Sequence, residues 1–131
     1  MQIKPDGCPA VREGVSNMDY GKVIDLVHRT DALIADAQLV SQVHTKGVAD
    51  YVTMVDVSVQ RFLRGELAAL WPEVQFLGEE ERGDAVDWSR PYWVLDPIDG
   101  TTNLMHGNPF CAVSLALCRN GETEFGVIYA P

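Results

Sequence analysis

The spacing of apolar residues changes from a helical to a strand-like pattern near residue 72. Before this point, apolar residues recur at intervals of three and four, which predicts amphipathic helices. After it, short apolar runs at 74–77, 92–96 and 110–118 are bounded by glycine, proline or aspartate, which predicts buried strands. Two N-terminal helices packed on a largely antiparallel sheet form an α+β fold, of the layered α/β sandwich type.

Capping signals set the expected ends of the two helices. Ser16 and Asp19 have capping-box spacing, so we expect the first helix to begin near Ser16 and to end near Gly47. The second helix is predicted to begin after Thr53, which has Asp56 three residues further on. It should end before the next proline, because proline disfavours helix in the residue that precedes it.

The predicted strands continue to the end of the chain. Asn120-Gly121 suits a two-residue hairpin turn between the 110–118 strand and a return strand at 123–131. The chain thus ends directly after an apolar strand, which leaves an unfinished sheet edge and favours a C-terminal truncation over a naturally short chain. We expect a loose segment at 1–15 and one folded domain at 16–131.

Length, charge and cysteine content exclude several classes of protein. The 131 residues suit one domain, and a net charge of −9 argues against direct nucleic-acid binding. No apolar run approaches the roughly 20 residues of a membrane span, and the N-terminus lacks a signal-peptide core. Cys8, Cys111 and Cys118 match no zinc pattern, so we expect reduced thiols in a cytoplasmic protein. Cys111 and Cys118 would point to opposite faces of one strand and not bridge each other.

Acidic residues concentrate where the predicted strands end. A buried strand delivers Asp96 to a sheet end, and the proline and glycine that follow turn the chain so that Asp96 and Asp99 converge. The carbonyl of Ile98 lies between them, and Glu79 follows a neighbouring strand. Such all-oxygen ligands suit Mg²⁺ or Mn²⁺ rather than zinc. The alternative is a solvated acidic turn, since Asp-Pro and Asp-Gly pairs are common turn formers.

The next residues predict an anion site beside these carboxylates. If a helical turn begins at Thr101, the amides of Gly100 and Thr101 point outward at its positive end. A phosphoryl group would then be held between a cation and these amides. The Thr101 hydroxyl could orient a water molecule.

Three ordered blocks extend this pattern along the chain. They are KGVADYVTMVD at 46–56, FLGEE at 76–80 and WVLDPIDGTTNL at 93–104, with shorter matches at 106–110 and 126–131. Together they closely resemble the inositol monophosphatase family of metal-dependent, lithium-sensitive phosphatases. The resemblance runs from about residue 18 to the end and implies the sandwich fold of the sugar phosphatases, with 16–131 as its N-terminal metal-binding domain.

The resemblance implies a metal-binding role for each candidate ligand. Glu79, Asp96 and the Ile98 carbonyl correspond to ligands of one Mg²⁺. Asp96 bridges to a second Mg²⁺, which Asp99 also binds, and Glu79 reaches a third, mostly hydrated ion. A complete site thus holds two or three Mg²⁺, with Mn²⁺ as an alternative.

The resemblance also implies the catalytic and supporting groups. Thr101, paired with Asp56, orients and helps deprotonate the attacking water, and Glu79 belongs to the same catalytic group. The amides of Gly100 and Thr101 hold the phosphate. Three further positions are supporting, and these are Glu80, Asp50 and Lys46.

The implied function is Mg²⁺-dependent hydrolysis of a phosphate monoester by in-line displacement, with inositol monophosphate favoured. Fructose-1,6-bisphosphatase and 3′-phosphoadenosine phosphatase share this metal core, but Thr102 favours the inositol type because the phosphoadenosine group tends to have lysine there. Family members carry a second half that supplies another metal-binding aspartate. Because that half is not present, a catalytically incomplete metal-binding fragment or a regulatory subunit is the alternative. The resemblance further implies a small phosphorylated polyol or sugar as substrate, and a homodimer.

Overall fold

The computed structural model describes residues 18–48, 50–79 and 83–131. The expected loose segment at 1–15, Ser16 itself and the supporting residue Glu80 lie outside these ranges. The first helix begins at Tyr20, after its N-cap Asp19, and not near Ser16 as predicted. The helices are α1 (Tyr20–His28), α2 (Asp31–Ile34), α3 (Ala37–Ser41), α4 (Met54–Leu70) and α5 (Thr101–Met105). The strands are β1 (Val43–Gly47), β2 (Asp50–Thr53), β3 (Gln75–Gly78), β4 (Tyr92–Asp99), β5 (Ala112–Arg119) and β6 (Glu122–Tyr129).

Four of the strands form one mixed, mostly antiparallel sheet in the order β3-β4-β5-β6. Only the β3–β4 pair is parallel within it, and β1 and β2 form a separate antiparallel pair. On β5, Val113, Leu115 and Leu117 are buried, whereas the residues between them are half-buried. These large side chains form one core with the buried faces of α1 and α4. The α+β fold predicted from the sequence is therefore confirmed.

The N-terminal half differs from the prediction of one helix that ends near Gly47. The chain instead forms three short helices and then β1, which pairs with β2. The buried Thr30 hydroxyl donates to the carbonyl of Val27 at 2.6 Å where α1 ends. Asp36 caps α3 by accepting from the amide of Gln38 at 2.9 Å. Short polar side chains compete for backbone hydrogen bonds in this way, and they interrupt a helix whose apolar spacing is otherwise continuous.

The start of α4 was predicted correctly, and it carries a full capping box. The backbone N–H of Thr53 donates to Asp56 Oδ2 at 2.9 Å, and the amide of Asp56 donates back to Thr53 Oγ1 at 3.4 Å. Both residues are buried. This cap fixes the side chain of Asp56 at the first turn of α4.

Other local predictions also agree with the structure. Asn120 and Gly121 have φ values of 53° and 76°, as a tight hairpin turn between β5 and β6 requires. Cys111 and Cys118 are free thiols in the described part of the chain. Across the described ranges, the helices are too short or too polar to cross a membrane.

Candidate active site

A bulge at the end of β4 places two carboxylates on the same side of the sheet. Asp96 pairs with Ser114 and Asp99 pairs with Ala112, so three steps on β4 match two steps on β5. Side chains alternate along a regular strand, so residues three positions apart face opposite sides, and the bulge brings Asp96 and Asp99 to the same side. Pro97 lies inside the irregular stretch and has no N–H to contribute to the ladder. The sequence predicted that Asp96 and Asp99 converge, and the shift in strand register accounts for how they can do so.

The first turns of α4 and α5 meet beside these carboxylates. The Thr101 hydroxyl donates to Asp56 Oδ1 at 2.9 Å and lies 3.1 Å from the carbonyl oxygen of Ile98. The other oxygen of Asp56, Oδ2, accepts from the Thr53 hydroxyl at 2.6 Å. Asp56 is only 4% exposed. One carboxylate therefore caps α4 with one oxygen and orients Thr101 with the other.

Asp96 lies in a setting that favours a bound cation. Its Oδ1 atom is buried, and no donor reaches it from the described residues. Burial raises the pKa of Asp96, and repulsion from Asp99 and Asp56 raises it further, against smaller opposing effects of the Ile98 amide and Lys46. A buried carboxylate oxygen without a donor favours binding of either a proton or a cation. The oxygen-only surroundings fit Mg²⁺ or Mn²⁺.

Glu79 and Lys46 approach each other at the edge of this region. Lys46 Nζ, on β1, lies 3.8 Å from Glu79 Oε1, which follows β3. Their side chains are 23% and 43% exposed. The ammonium group adds positive charge at this otherwise acidic edge. The side chain of Asp50 lies outside the described part of the chain.

One cavity of about 260 Å³ joins most of the predicted positions. Its lining residues are Tyr51, Glu79, Asp96, Ile98, Asp99, Gly100, Thr101, Thr102 and Asn103. Three lining residues had been given no binding or catalytic role, namely Tyr51 on β2 and Thr102 and Asn103 on α5. Tyr51 went unassigned because the β1–β2 pair was not predicted, whereas Asn103 already stood inside the 93–104 block. In the described ranges, no three His, Cys, Asp or Glu side chains are close enough to form a closed metal site.

Gly100 forms a tight turn between β4 and α5. Its φ is +94°, and a Cβ atom there would lie 2.7 Å from the carbonyl oxygen of Phe110. Gly100→Ala should lower the free energy of unfolding by about 3 kcal/mol or more, from left-handed strain plus this clash. Gly107→Ala is the matched control, because Gly107 has φ +72° with no heavy atom within 4 Å of the added Cβ. It should cost only about 1–2 kcal/mol. Urea denaturation measures both, and equal losses would contradict the packing at Gly100.

Comparisons with known proteins place this chain in a family. The profile described as "Inositol monophosphatase family" matches residues 14–131. An inositol-1-monophosphatase from Rhizobium meliloti (strain 1021) is 45% identical over 91 residues, which cover 69% of this chain and 34% of that protein. The chain spans about a third of the length of the curated relatives that it matches.

Solved structures agree with this assignment. The crystal structure of extragenic suppressor protein suhB from Bartonella henselae matches 84% of this chain and 43% of its own, at 38% identity and a TM-score of 0.71. An IMPase/NADP phosphatase complexed with Mg²⁺ and phosphate matches 85% of this chain and 43% of its own, at 28% identity and a TM-score of 0.72. The matched part is the N-terminal portion of these relatives.

Proposed function

Because the chain belongs to the inositol monophosphatase family, we propose that it serves in Mg²⁺-dependent hydrolysis of a phosphate monoester, with inositol monophosphate as the favoured substrate. The observation that supports this proposal is that two groups of residues lie next to each other. The Asp96–Asp99 bulge lies directly beside the hydrogen-bonded pair of Thr101 and Asp56. One site thereby contains both the carboxylates that would bind a cation and the hydroxyl–carboxylate pair that would orient a water molecule.

In this proposal, two or three Mg²⁺, or Mn²⁺ as an alternative, would be held by Glu79, Asp96, Asp99 and the Ile98 carbonyl. When bound, Mg²⁺ stabilises charge on the phosphoryl oxygens and lowers the pKa of water. The Thr101 hydroxyl accepts a hydrogen bond from the attacking water. As the water attacks phosphorus, Thr101 takes its proton and passes its own proton to Asp56 Oδ1, 2.9 Å away. The P–O bond to the alcohol breaks on the opposite side, and the departing alcohol oxygen takes a proton from solvent water.

The remaining groups bind and support. The amides of Gly100 and Thr101 hold the phosphate, and Glu79 assists both metal binding and water activation. Lys46 supports Glu79, to which it is already paired. Glu80 and Asp50 act as further supporting residues. A small phosphorylated polyol or sugar, a homodimer and a cytoplasmic location complete the proposal.

A second candidate is a metal-binding fragment or regulatory subunit without turnover. The chain matches about a third of the length of its curated relatives. Both candidates need the Mg²⁺ site, and only the first needs phosphate release. Inositol 1-phosphate, fructose 1,6-bisphosphate and 3′-phosphoadenosine 5′-phosphate are therefore assayed for phosphate release with and without Mg²⁺. Clear preference for a bisphosphate would overturn the favoured substrate, and Mg²⁺ binding without any release would favour the second candidate.

Asp96→Asn tests the metal site separately. At neutral pH without Mg²⁺, the variant should be at least as stable as wild type, because a buried charge is removed. Because the pKa of Asp96 is raised in the folded state, wild-type stability falls as pH rises through that pKa. The asparagine variant should not show this pH dependence. Mg²⁺ at ten times its Kd should stabilise wild type by about 1.4 kcal/mol and the variant by far less. Thermal unfolding with and without Mg²⁺ measures this, and equal stabilisation would exclude Asp96 as a ligand.

A further inference from the structure

We propose that Asn103 is a positioning residue that holds the turn before α5, and through it the Thr101 hydroxyl, in place. Its effect on catalysis rests on the proposed function, whereas its effect on the turn does not. Asn103 lies two residues after Thr101 and lines the same cavity. The inference follows from where its amide group and its backbone carbonyl bind.

Asn103 forms hydrogen bonds with two residues of the loop that follows α5, Asn108 and Phe110. Its Nδ2 donates to the carbonyl oxygen of Phe110 at 2.8 Å. Its own backbone carbonyl accepts from the amide of Asn108 at 2.8 Å. Asn108 Oδ1 in turn accepts from the amide of Phe110 at 3.1 Å. Phe110 is 78% exposed, so this residue is held mainly through its backbone.

The Phe110 carbonyl that Asn103 holds fills the space where a side chain at Gly100 would lie. It lies 2.7 Å from the position a Gly100 Cβ would take, and Asn103 Nδ2 lies 3.5 Å from the same point. The backbone at Gly100 is left-handed, and its carbonyl accepts the first hydrogen bond of α5, from the amide of Leu104 at 3.1 Å. Asn103 therefore fixes the Phe110 carbonyl against the turn from which α5 begins.

This turn sets the direction of the Thr101 hydroxyl. Thr101 directly follows Gly100, and its hydroxyl lies within hydrogen-bond distance of both Asp56 Oδ1 and the Ile98 carbonyl. A small rotation of the turn would change which acceptor receives the single proton. Without the hydrogen bond from Asn103, the loop that covers Gly100 becomes more mobile, and the Thr101 hydroxyl is no longer directed to one acceptor. The transition state requires one orientation, so kcat should depend on Asn103 more than KM does.

A pair of substitutions separates polar positioning from space filling. Asn103→Ala removes the donor and most of the volume, whereas Asn103→Asp keeps the shape but presents a carboxylate to the Phe110 carbonyl. If Asn103 only fills space, aspartate restores wild-type behaviour. If it acts as a donor, aspartate is at least as harmful as alanine. His106→Ala is the control, because His106 is an exposed side chain at the end of the same helix.

The first measurement is amide hydrogen exchange by NMR on the 131-residue chain without ligand. In both Asn103 variants, exchange of the Leu104 amide should quicken about five- to tenfold, as expected for loss of one hydrogen bond. The amide resonances of Gly100 and Thr101 should move, whereas those of central β4 and β5 residues should not. His106→Ala should leave all of them unchanged. Unaltered Leu104 exchange in Asn103→Ala, or wild-type exchange in Asn103→Asp, would overturn the proposal.

The second measurement is kinetic. Both Asn103 variants should lower kcat for Mg²⁺-dependent phosphate release about tenfold while KM changes less than about twofold. A rise in KM at unchanged kcat would contradict positioning of Thr101. Absence of release by wild type would count against the proposed catalysis alone, because hydrogen exchange still decides the positioning role. Should Asn103→Ala fail to fold, Asn108→Ala frees the Phe110 amide and should quicken Leu104 exchange in the same direction.

Discussion

Asp56→Asn is expected to lower Mg²⁺-dependent phosphate release by about 10²–10⁴-fold, the usual contribution of a general base. The free energy of unfolding should stay within about 1 kcal/mol of wild type, since the side-chain oxygen of asparagine can still accept from the Thr53 backbone N–H in the capping box of α4. Enzyme kinetics and urea denaturation on the same preparation measure the two quantities. We therefore expect this substitution to remove activity while leaving stability nearly unchanged, although Asp56 contributes to both.

The separation follows from the two oxygens of Asp56. Oδ2 accepts from the Thr53 amide and hydroxyl, and Oδ1 accepts from Thr101. The single oxygen of asparagine can replace Oδ2 and keep the cap. Its amino group then faces Thr101, whose hydroxyl must turn its proton towards the carbonyl of Ile98, 3.1 Å away. The variant folds but has no group to receive the proton.

Asp36→Asn provides the matched control. Asp36 caps α3 by accepting from the amides of Gln38 and Leu39, and it is exposed. The same chemical change at this second cap should leave both activity and stability near wild type. If Asp56→Asn retained phosphate release within a few-fold of wild type, Asp56 would be a structural cap and not the proton acceptor.

Trp93→Ala should have the largest effect on stability. Trp93 lies on β4, is 1% exposed and packs against Trp71 with a ring-centroid distance of 6.1 Å. Truncation should lower the free energy of unfolding by about 3–5 kcal/mol, which is a large share of the total for a domain of this size. Because β4 carries Asp96 three residues further on, Mg²⁺ binding should weaken with it. Urea denaturation and Mg²⁺ titration measure these losses.

Trp93→Phe separates apolar packing from the indole N–H. Among the described residues, no acceptor reaches the buried Trp93 Nε1. Phenylalanine removes this unsatisfied group and keeps most of the apolar volume, so it should cost roughly half as much as alanine. If phenylalanine were as damaging as alanine, the indole N–H would have to contribute a hydrogen bond that stabilises the fold.

The local signals in the sequence predicted some elements well. The Thr53–Asp56 cap and the Asn120-Gly121 turn depend on neighbouring residues alone, and both formed as expected. The break after α1 depends on Thr30, whose hydroxyl competes for the Val27 carbonyl inside an apolar pattern that looks continuous. Strand β1 depends on pairing with β2, and such pairing is not encoded in the spacing of apolar residues.

Some parts of the candidate site could likewise be predicted from neighbouring residues, and others could not. The cluster of Asp96, Asp99 and Thr101 could be predicted because these residues are close in sequence. The partnership of Asp56 with Thr101 joins residues 45 positions apart, and only the family resemblance suggested it. The hydrogen bond from Asn103 to the Phe110 carbonyl had no sequence signal of its own, because it depends on the path of the intervening loop.

The bulge in β4 makes the stretch between Asp96 and Asp99 intolerant of an added residue. Most chain segments outside helices and strands accept insertions and deletions. Here, insertion of one residue, with the single bulge kept, would turn Asp99 towards the opposite side of the sheet. The insertion would leave every acidic residue in the chain, yet it would separate the two carboxylates. Among homologous sequences, insertions between these two positions should therefore be rarer than substitutions there.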